Sequence, residues 1–437
     1  MNIKFLLSTA FFAVVLMTVN AQERRILNLE ECKERALKNN AGIQTGKIDV
    51  EVAKQTKKEA FTKYFPQISA GAITYKADDN LIKATVPPIP PLGLDAPMEI
   101  GVLEKGNLVT VSAMQPVFAG GQIVNSNKLA KTALEASRLQ LDITRDQVEL
   151  ETENYFWKIV SLKEAEKTLD ILDSLLQNLH KDVSLAVKAG ITTQNDLLTV
   201  QLKQNELSST RLQVENGIKL SCMALCQYIG IPLDSASCID VPEFNSDIKG
   251  PEEYLVDHQA VLPSLNTYKL LDKNVEVHEL KRKINFGQQL PTLGIGASYA
   301  YEDLMFDKKR NHLMMMATVS IPISDWWGGS HKTKRSRLEE EKAICQQQDG
   351  CEKLLLKMQQ SWNLLTESYK QIILAESAVK ESEENLRMQT NNYRCGVSSL
   401  SELLDAQGLY QTSRGRYTDA CINYKIKLTQ YMQDTGR

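Results

Sequence analysis

The side chains with the most obvious capacity for chemistry are eight cysteines, at 32, 222, 226, 238, 345, 351, 395 and 421, and five histidines, at 180, 258, 278, 312 and 331. Thiols can pair in an oxidising compartment, ligate zinc, or act as nucleophiles where their pKa is lowered. Cys222 and Cys226 lie four apart, on one side of a helix, but no second pair stands at zinc-ligand spacing. The histidines do not cluster, and no nucleophile elbow, phosphate loop or metal motif occurs. Most of the cysteines therefore read as small buried apolar residues. No catalytic group, cofactor or metal is expected, which suits a passive protein rather than an enzyme. A net charge of -3 gives no electrostatic footprint for nucleic acid. Carboxylates remain. Glu402 and Asp405, three apart, fall on about one face of a helix. Acidic residues in a helix's first turn are also stabilised there by its dipole, whatever else they do.

The elements that carry these carboxylates are long. Each begins with a Gly-Gly pair, Gly120-Gly121 or Gly328-Gly329, after a short β-like run. Each then reads as helix for about 65 residues without proline, roughly 100 Å of rod at the usual rise. Each ends at one glycine, Gly190 or Gly396, within the similar phrases Ala189-Gly190-Ile191-Thr192-Thr193 and Cys395-Gly396-Val397-Ser398-Ser399. Glycine enters the left-handed region freely where a helix reverses. A return helix follows each turn. Apolar residues of the first rod recur at three and four, as at Leu162, Ala165, Leu169, Leu172, Leu176 and Leu179, which fits packing on neighbouring helices.

The chain is a duplicated unit. Pro116 precedes Gly190 by 74 residues, and Pro322 precedes Gly396 by 74. The same offset of 206 aligns Leu197 with Leu403 and Phe156 with Trp362. Upstream the offset becomes 225, matching Pro66 to Pro291, so the first copy carries 19 extra residues. Repetition overrides a domain count taken from length alone.

Residues 1–21 read as a signal peptide: Lys4, an apolar run from Phe5, and a small-residue site ending at Ala21. No cysteine follows closely, so lipid modification is not expected. The first repeat covers 22–230, a linker 231–254, and the second repeat 255–437. Asn28 with Glu31 forms a capping box for a first helix. A break at Asn39-Asn40 precedes a second helix from about Ile43 to Tyr64, which Pro66 ends. Strands follow at about 67–76 and 107–117. Between them, 77–106 reads as a loop holding Pro87, Pro88, Pro90 and Pro91. The second copy repeats this with a helix at about 265–289 and strands at about 292–301 and 312–321.

The last two strands alternate most clearly. Leu293, Ile295, Ala297, Tyr299 and Tyr301 share one face, and Leu313, Met315, Ala317, Val319 and Ile321 another. One apolar face and one small or polar face over about 10 residues is the pattern of a transmembrane β-strand, and also of a half-buried soluble strand. Trp326-Trp327, just past the fourth strand, fits a membrane-interface girdle or packing against the rod. An export signal and two rods favour the membrane. Four strands cannot close a barrel, and an open edge cannot face lipid. Several chains must then pool their strands, while the rods run as hairpins through the periplasm.

Taken in order, the Leu29-Glu30-Glu31 helix, Pro66 and Pro291 before strands, Gly120-Gly121 and both glycine phrases resemble the TolC-like outer-membrane efflux protein family. The resemblance covers nearly everything after the signal. It implies a mainly α protein with a membrane β-barrel: a homotrimer with a 12-stranded outer-membrane β-barrel continued by a periplasmic α-helical barrel of 12 helices. It also implies partners: a periplasmic adaptor protein and an inner-membrane transporter of RND or ABC type. The family places an acidic ring at the periplasmic mouth, and the matching positions are Glu402 and Asp405. A ring of carboxylates attracts cations, and mutual repulsion would raise some of their pKa values. The family's gate lock matches Tyr393 and Asp196, but its arginine falls on Ser398. Gly190, Leu197, Gly396 and Leu403 match the adaptor-docking tips. The implied function is an exit duct exporting small molecules such as drugs or toxic compounds. A duct for type I protein secretion is the alternative. A periplasmic coiled-coil scaffold or adaptor without a channel is a further one.

Overall fold

A computed structural model describes residues 25–79, 81–88, 97–102, 105–233, 239–240, 248–303, 310–323 and 325–437. The expected signal peptide lies outside them. The elements in chain order are β1 (Arg25–Ile26), α1 (Leu29–Asn39), α2 (Ala41–Thr62), β2 (Gln67–Lys76), β3 (Ile82–Val86), β4 (Met98–Val102) and β5 (Lys105–Ala119). Then come α3 (Gln122–Lys188), α4 (Gln194–Tyr228), β6 (Ile239–Asp240), a short α5 (His258–Val261) and α6 (Asn266–Gly287). The chain ends with β7 (Thr292–Asp303), β8 (Arg310–Ser320), α7 (Asp325–Arg394) and α8 (Leu400–Asp434). The rods α3 and α7 have 67 and 70 residues. Asn28 caps α1, its Oδ1 accepting from Glu31 N at 2.7 Å.

Two compact units form, and they cut across the sequence repeat. One comprises Asp49–Arg138 and Leu270–Gly350. Its centre is an antiparallel sheet in the order β2-β5-β7-β8, with one irregularity between Pro116 and Phe118. Polar contacts tie its helices together. Asn127 Nδ2 donates to Ala60 O at 2.9 Å, Lys273 pairs with Glu135 at 2.7 Å, and Arg282 with Glu340 at 2.5 Å. A separate two-stranded sheet joins β3 to β4. The region read as a structureless loop, 77–106, therefore holds a hairpin; Pro90 and Pro91 lie outside the described residues.

The other unit comprises the described residues within Met1–Ile48, Leu139–Lys269 and Cys351–Arg437. Helix α3 buries Leu169, Leu172, Leu176, Leu179 and Val183, a three-four alternation along one stripe. Helix α7 keeps a stricter count. Met358, Leu365, Ile372, Val379 and Leu386 are buried every seventh residue, with buried Ser361, Ser368 and Ser382 between them. Sustained seven-residue spacing is the coiled-coil pattern. Each of these serines satisfies its hydroxyl on the carbonyl three residues back, at 2.8–3.0 Å, so small polar residues fit the seam without an orphaned group.

Part of the linker is anchored. Tyr424 Oη donates to Lys249 O at 2.6 Å, and Tyr431 Oη lies 3.3 Å from Val256 N and 3.2 Å from His258 Nε2. Cys32, Cys222, Cys226 and Cys421 are buried, as expected of small apolar residues, whereas Cys345 and Cys395 are exposed. Burial pushes the Cys32 thiol up to about 12 and that of Cys226 to about 11, so both stay protonated.

The two Gly-Gly pairs differ. Gly120 and Gly121 hold φ of +58° and +75°, and they turn the chain from β5 into α3. Helix α7 instead starts at Asp325, so Gly328 and Gly329 lie inside it and make no turn. Trp326 and Trp327 are its second and third residues, and Trp327 is 80 % exposed.

Candidate functional site

The two hairpin tips are built alike. Gly190 and Gly396 adopt φ of +73° and +74°, with nothing within 4 Å of a hypothetical Cβ. At the first tip Gly190 N donates to Val187 O at 3.0 Å, and Ile191 N to Ala186 O at 2.9 Å. At the second, Gly396 N donates to Tyr393 O at 3.0 Å, and Val397 N to Asn392 O at 2.9 Å. These bonds satisfy carbonyls left open at the helix end.

Each return helix opens with a capping box. Thr193 Oγ1 accepts from Asp196 N at 3.3 Å, and Asp196 Oδ2 accepts from Thr193 N at 3.2 Å. Ser399 Oγ accepts from Glu402 N at 3.3 Å, and Glu402 Oε2 accepts from Ser399 N at 2.8 Å. The preceding hydroxyl, Thr192 or Ser398, also reaches the same carboxylate oxygen. Asp196 and Glu402 are thus the same residue of the two copies, each at the third position of its helix. Hydrogen bonds hold both below the ordinary carboxylate range. For Glu402 the main donors are Ser399 N and the Ser398 hydroxyl, and for Asp196 the Thr192 hydroxyl. Within one chain, then, Glu402 shifts opposite to the rise expected of a repelling ring.

The remaining predicted site residues fall around these boxes. Asp405 is exposed one turn into α8. Tyr393, half-buried before the second turn, has its phenol pKa raised by burial and then by the charges of Asp196 and Asp182. The structure therefore brings Tyr393 and Asp196 within electrostatic reach across the hairpins. Ser398, which stands where the resemblance expects an arginine, places its hydroxyl 2.7 Å from Gln389 Oε1. Arg394 is exposed in the last turn of α7. Leu197 is half-buried and Leu403 is buried, both in the core that packs α3, α4, α7 and α8 together. The most exposed apolar side chains at the tips are Ile191, at 80 %, and Val397, at 79 %. Sequence reasoning missed them. The available signal was an apolar residue directly after a left-handed glycine.

The sheet forms a second candidate surface. Cross-strand partners share a face, so the register sorts the side chains. One face carries Ile68, Val109, Val111, Ile295, Tyr299, Leu313 and Met315 among small residues. The other carries a row of serines, Ser69, Ser112 and Ser298, the first two 2.9 Å apart at their hydroxyls. The edge strands are open. Every residue of β2 but one is exposed, and every residue of β8 but one. Met315 is 80 % exposed and Ile68 74 %. Among the described residues no helix is long and apolar enough to cross a membrane, and no group of three or more His, Cys, Asp or Glu could hold a metal ion.

Residues 274–437 match the model of the outer membrane efflux protein family. A search of curated proteins finds no match. Among solved structures, the outer membrane protein VceC of Vibrio cholerae superposes with a TM-score of 0.77 at 14 % identity, covering 93 % of this chain and 96 % of that one. The CmeC outer membrane channel of Campylobacter jejuni gives 0.75 at 13 % identity, over 93 % and 85 %. The MtrE outer membrane channel of Neisseria gonorrhoeae, in its open state, gives 0.71 at 13 %, over 96 % and 93 %. By sequence, residues 274–437 thus resemble the outer membrane efflux protein family, and the chain as a whole shares the TolC-like fold of these solved outer-membrane channels.

Proposed function

We propose that this protein is the outer-membrane exit duct of a tripartite efflux system. The observation that carries the reading is the four-stranded sheet with two open edges and an uncovered apolar face. Its edge strands, of 10 and 11 residues, have the length that crosses the hydrocarbon core of a bilayer, about 9–11 residues. Open edges are tolerated in lipid only when they are closed. Pairing β8 of one copy with β2 of the next supplies the closure, and three copies give a 12-stranded barrel. The helices then form the periplasmic tube. Inside it run small molecules such as drugs or toxic compounds.

In this reading the tips meet a periplasmic adaptor, which joins an inner-membrane transporter of RND or ABC type. Gly190 and Gly396 shape the tips. Leu197 and Leu403 brace them from within, and Ile191 and Val397 offer the apolar surface. Glu402 and Asp405 line the periplasmic mouth as a carboxylate ring, while Asp196 and Tyr393 belong to its lock. With serine at 398, the lock lacks the cation that would pair directly with Asp196. A type I protein secretion duct would use the same barrel and tube.

The test is conductance of the detergent-purified protein in a planar bilayer, with a trivalent cation added. Small cation-selective currents, blocked by the cation in the parent and not in Glu402→Ala/Asp405→Ala, support duct and gate together. Currents that ignore the substitutions keep the duct and remove the gate. A protein that stays in solution without detergent and carries no current returns the scaffold reading.

A further inference from the structure

The duplication says what the two open edges of the principal sheet should meet. An offset of 225 for the first strand of a copy and 206 for the second carries one hairpin onto the other in register. Gln67↔Met114 in the first copy becomes Thr292↔Ser320 in the second, and Tyr75↔Gly106 becomes Ala300↔His312. The remaining ladder, β5 with β7, joins the second strand of one copy to the first strand of the other. Its counterpart is β8 with the β2 of another chain. Under the same offsets Met114↔Gly296 becomes Ser320↔Gly71, and Ala113↔Ala297 becomes Val319↔Ala72. This register keeps each face together. Ser320 and Gly71 continue the serine face, and Val319 and Ala72 the apolar one. A slip by one residue would mix them.

Where strands give way to helices, the two halves of a joint stand unfilled. Within the chain the start of α3 meets the end of α6. There Gly120 and Gly287 leave no room for a side chain on either, and Gln122 Nε2 donates to Gly287 O. The same offsets put Trp326 at the position of Gly120 and Thr62 at that of Gly287. Backbones carrying those residues cannot approach as closely, so the second joint is wider and must be filled by side chains. Trp327 is 80 % exposed, and nothing lies within 4 Å of a Cβ on Gly328. Around the end of α2, Phe61 and Phe65 are 55 % and 54 % exposed, with ring centroids 5.5 Å apart. The opposite side of α2 is already taken by α3, where Asn127 Nδ2 donates to Ala60 O.

We infer that β8 pairs with β2 of a second copy of this chain with Ser320 opposite Gly71, and that Trp327 seats on the Phe61–Phe65 stack of that copy. The contact is head-to-tail, the kind that closes into a ring. That the open edges meet at all rests on the duct reading; their register comes from the duplication.

The test is disulfide cross-linking of the full chain in detergent. A C345S/C395S background removes the two exposed thiols among the described residues and serves alone as the blank. Antiparallel partners stand about 4.5–5.5 Å apart at Cα, within the span of a disulfide. Within one chain β2 and β8 are three strand spacings apart, at least about 14 Å, so a bond between positions 71 and 320 joins two copies. Gly71→Cys/Ser320→Cys should give cross-linked dimers and trimers on a non-reducing gel. Ser69→Cys/Ser320→Cys and Ile73→Cys/Ser320→Cys, two residues off on the same face, should give several-fold less. Cross-links that favour 69 or 73, or none in a protein that conducts, overturn the register and keep the duct. A protein that stays in solution without detergent, carries no current and forms no cross-link defeats the duct and this pairing with it. Trp327→Ala and Phe65→Ala should each lower the temperature at which the oligomer dissociates, and together no more than the larger single loss. Trp327→Phe should recover most of it. Additive losses overturn the aromatic seat.

Discussion

Gly120 and Gly287 stand back to back. A Cβ on Gly120 would lie 2.1 Å from Gly287 O, and a Cβ on Gly287 would lie 2.3 Å from Gly120 O. Two backbones that close admit no side chain on either, and Gln122 Nε2 donates to the same Gly287 carbonyl at 3.3 Å. The junction of β5 with α3 is therefore pinned to the end of α6. Gly190 has a positive φ too, but open space around it. Gly190→Ala should lose only the left-handed backbone preference, roughly 1–2 kcal/mol. Gly120→Ala adds a backbone clash and should lower the melting temperature far more. Thermal melts of the two variants side by side check the order.

Lys33 and Glu153 make the second case. Their charged atoms are 3.6 Å apart, and the two side chains are 18 % and 5 % exposed. Glu153 Oε2 has no hydrogen bond, and Trp157 Nε1 stands 3.4 Å from the other oxygen. Removing the ammonium strands a buried carboxylate. Lys33→Met should destabilise by about 3 kcal/mol, and adding Glu153→Gln should recover most of it. Denaturant midpoints of the single and double variants decide this. Equal losses would mean that the charge pairing is unimportant.

Acid should loosen the tips. Asp196 and Glu402 are held below their ordinary values of 3.8 and 4.5, mainly by hydroxyl and backbone donors at the caps. A lowered carboxylate pKa stabilises the fold above the ordinary value, and that contribution is lost as pH falls through the lowered one. Hydrogen-exchange protection of residues 190–200 and 396–406 should drop below about pH 4. Glu402→Gln, whose amide can still accept the cap bond, should flatten the response at the second tip.

Asp146 and Glu149 run the other way. Burial raises both above their ordinary 3.8 and 4.5, helped for Asp146 by the charge of Asp142. A raised carboxylate pKa penalises the folded state when ionised, and the penalty lifts as pH falls through the raised value toward the ordinary one. The segment around them should thus gain protection on mild acidification while the tips have yet to lose any. Asp146→Asn/Glu149→Gln should abolish the gain.

The two faces of the sheet should respond differently to charge. Met315→Arg places a cation on the apolar face, where the penalty at mid-bilayer is about 2–4 kcal/mol. Ser298→Arg places one on the serine face, and in a pore should be tolerated while shifting ion selectivity. Membrane insertion yield and reversal potentials measure the two. Equal tolerance of both would speak for a soluble sheet.

Much of this was legible in the sequence because it is local. Gly190 and Gly396 announce their turns through the only residue at ease there. Asn28 sits at a cap position that short-range hydrogen bonds define. Strands β7 and β8 show their alternation directly. What stayed hidden depends on partners distant in sequence. Leu403 looked available for docking, but four helices converge on it. Gly328-Gly329 repeated the letters of Gly120-Gly121, yet only the first pair meets the end of α6 at backbone distance. The hairpin of β3 and β4 was masked by nearby prolines, since pairing across a gap leaves a weak local trace.

That hairpin also has a practical side. Its ladder, from Ile82↔Val102 to Val86↔Met98, is separate from that of β2 and β5, which runs from Gln67↔Met114 to Lys76↔Lys105. The second copy spans the same gap with only residues 304–309. Nature has thus run the same chassis with two attachments, one long and one minimal. For a protein engineer the stretch between Lys76 and Lys105 is a socket, where a foreign peptide or affinity tag can replace the hairpin and leave the principal sheet in register.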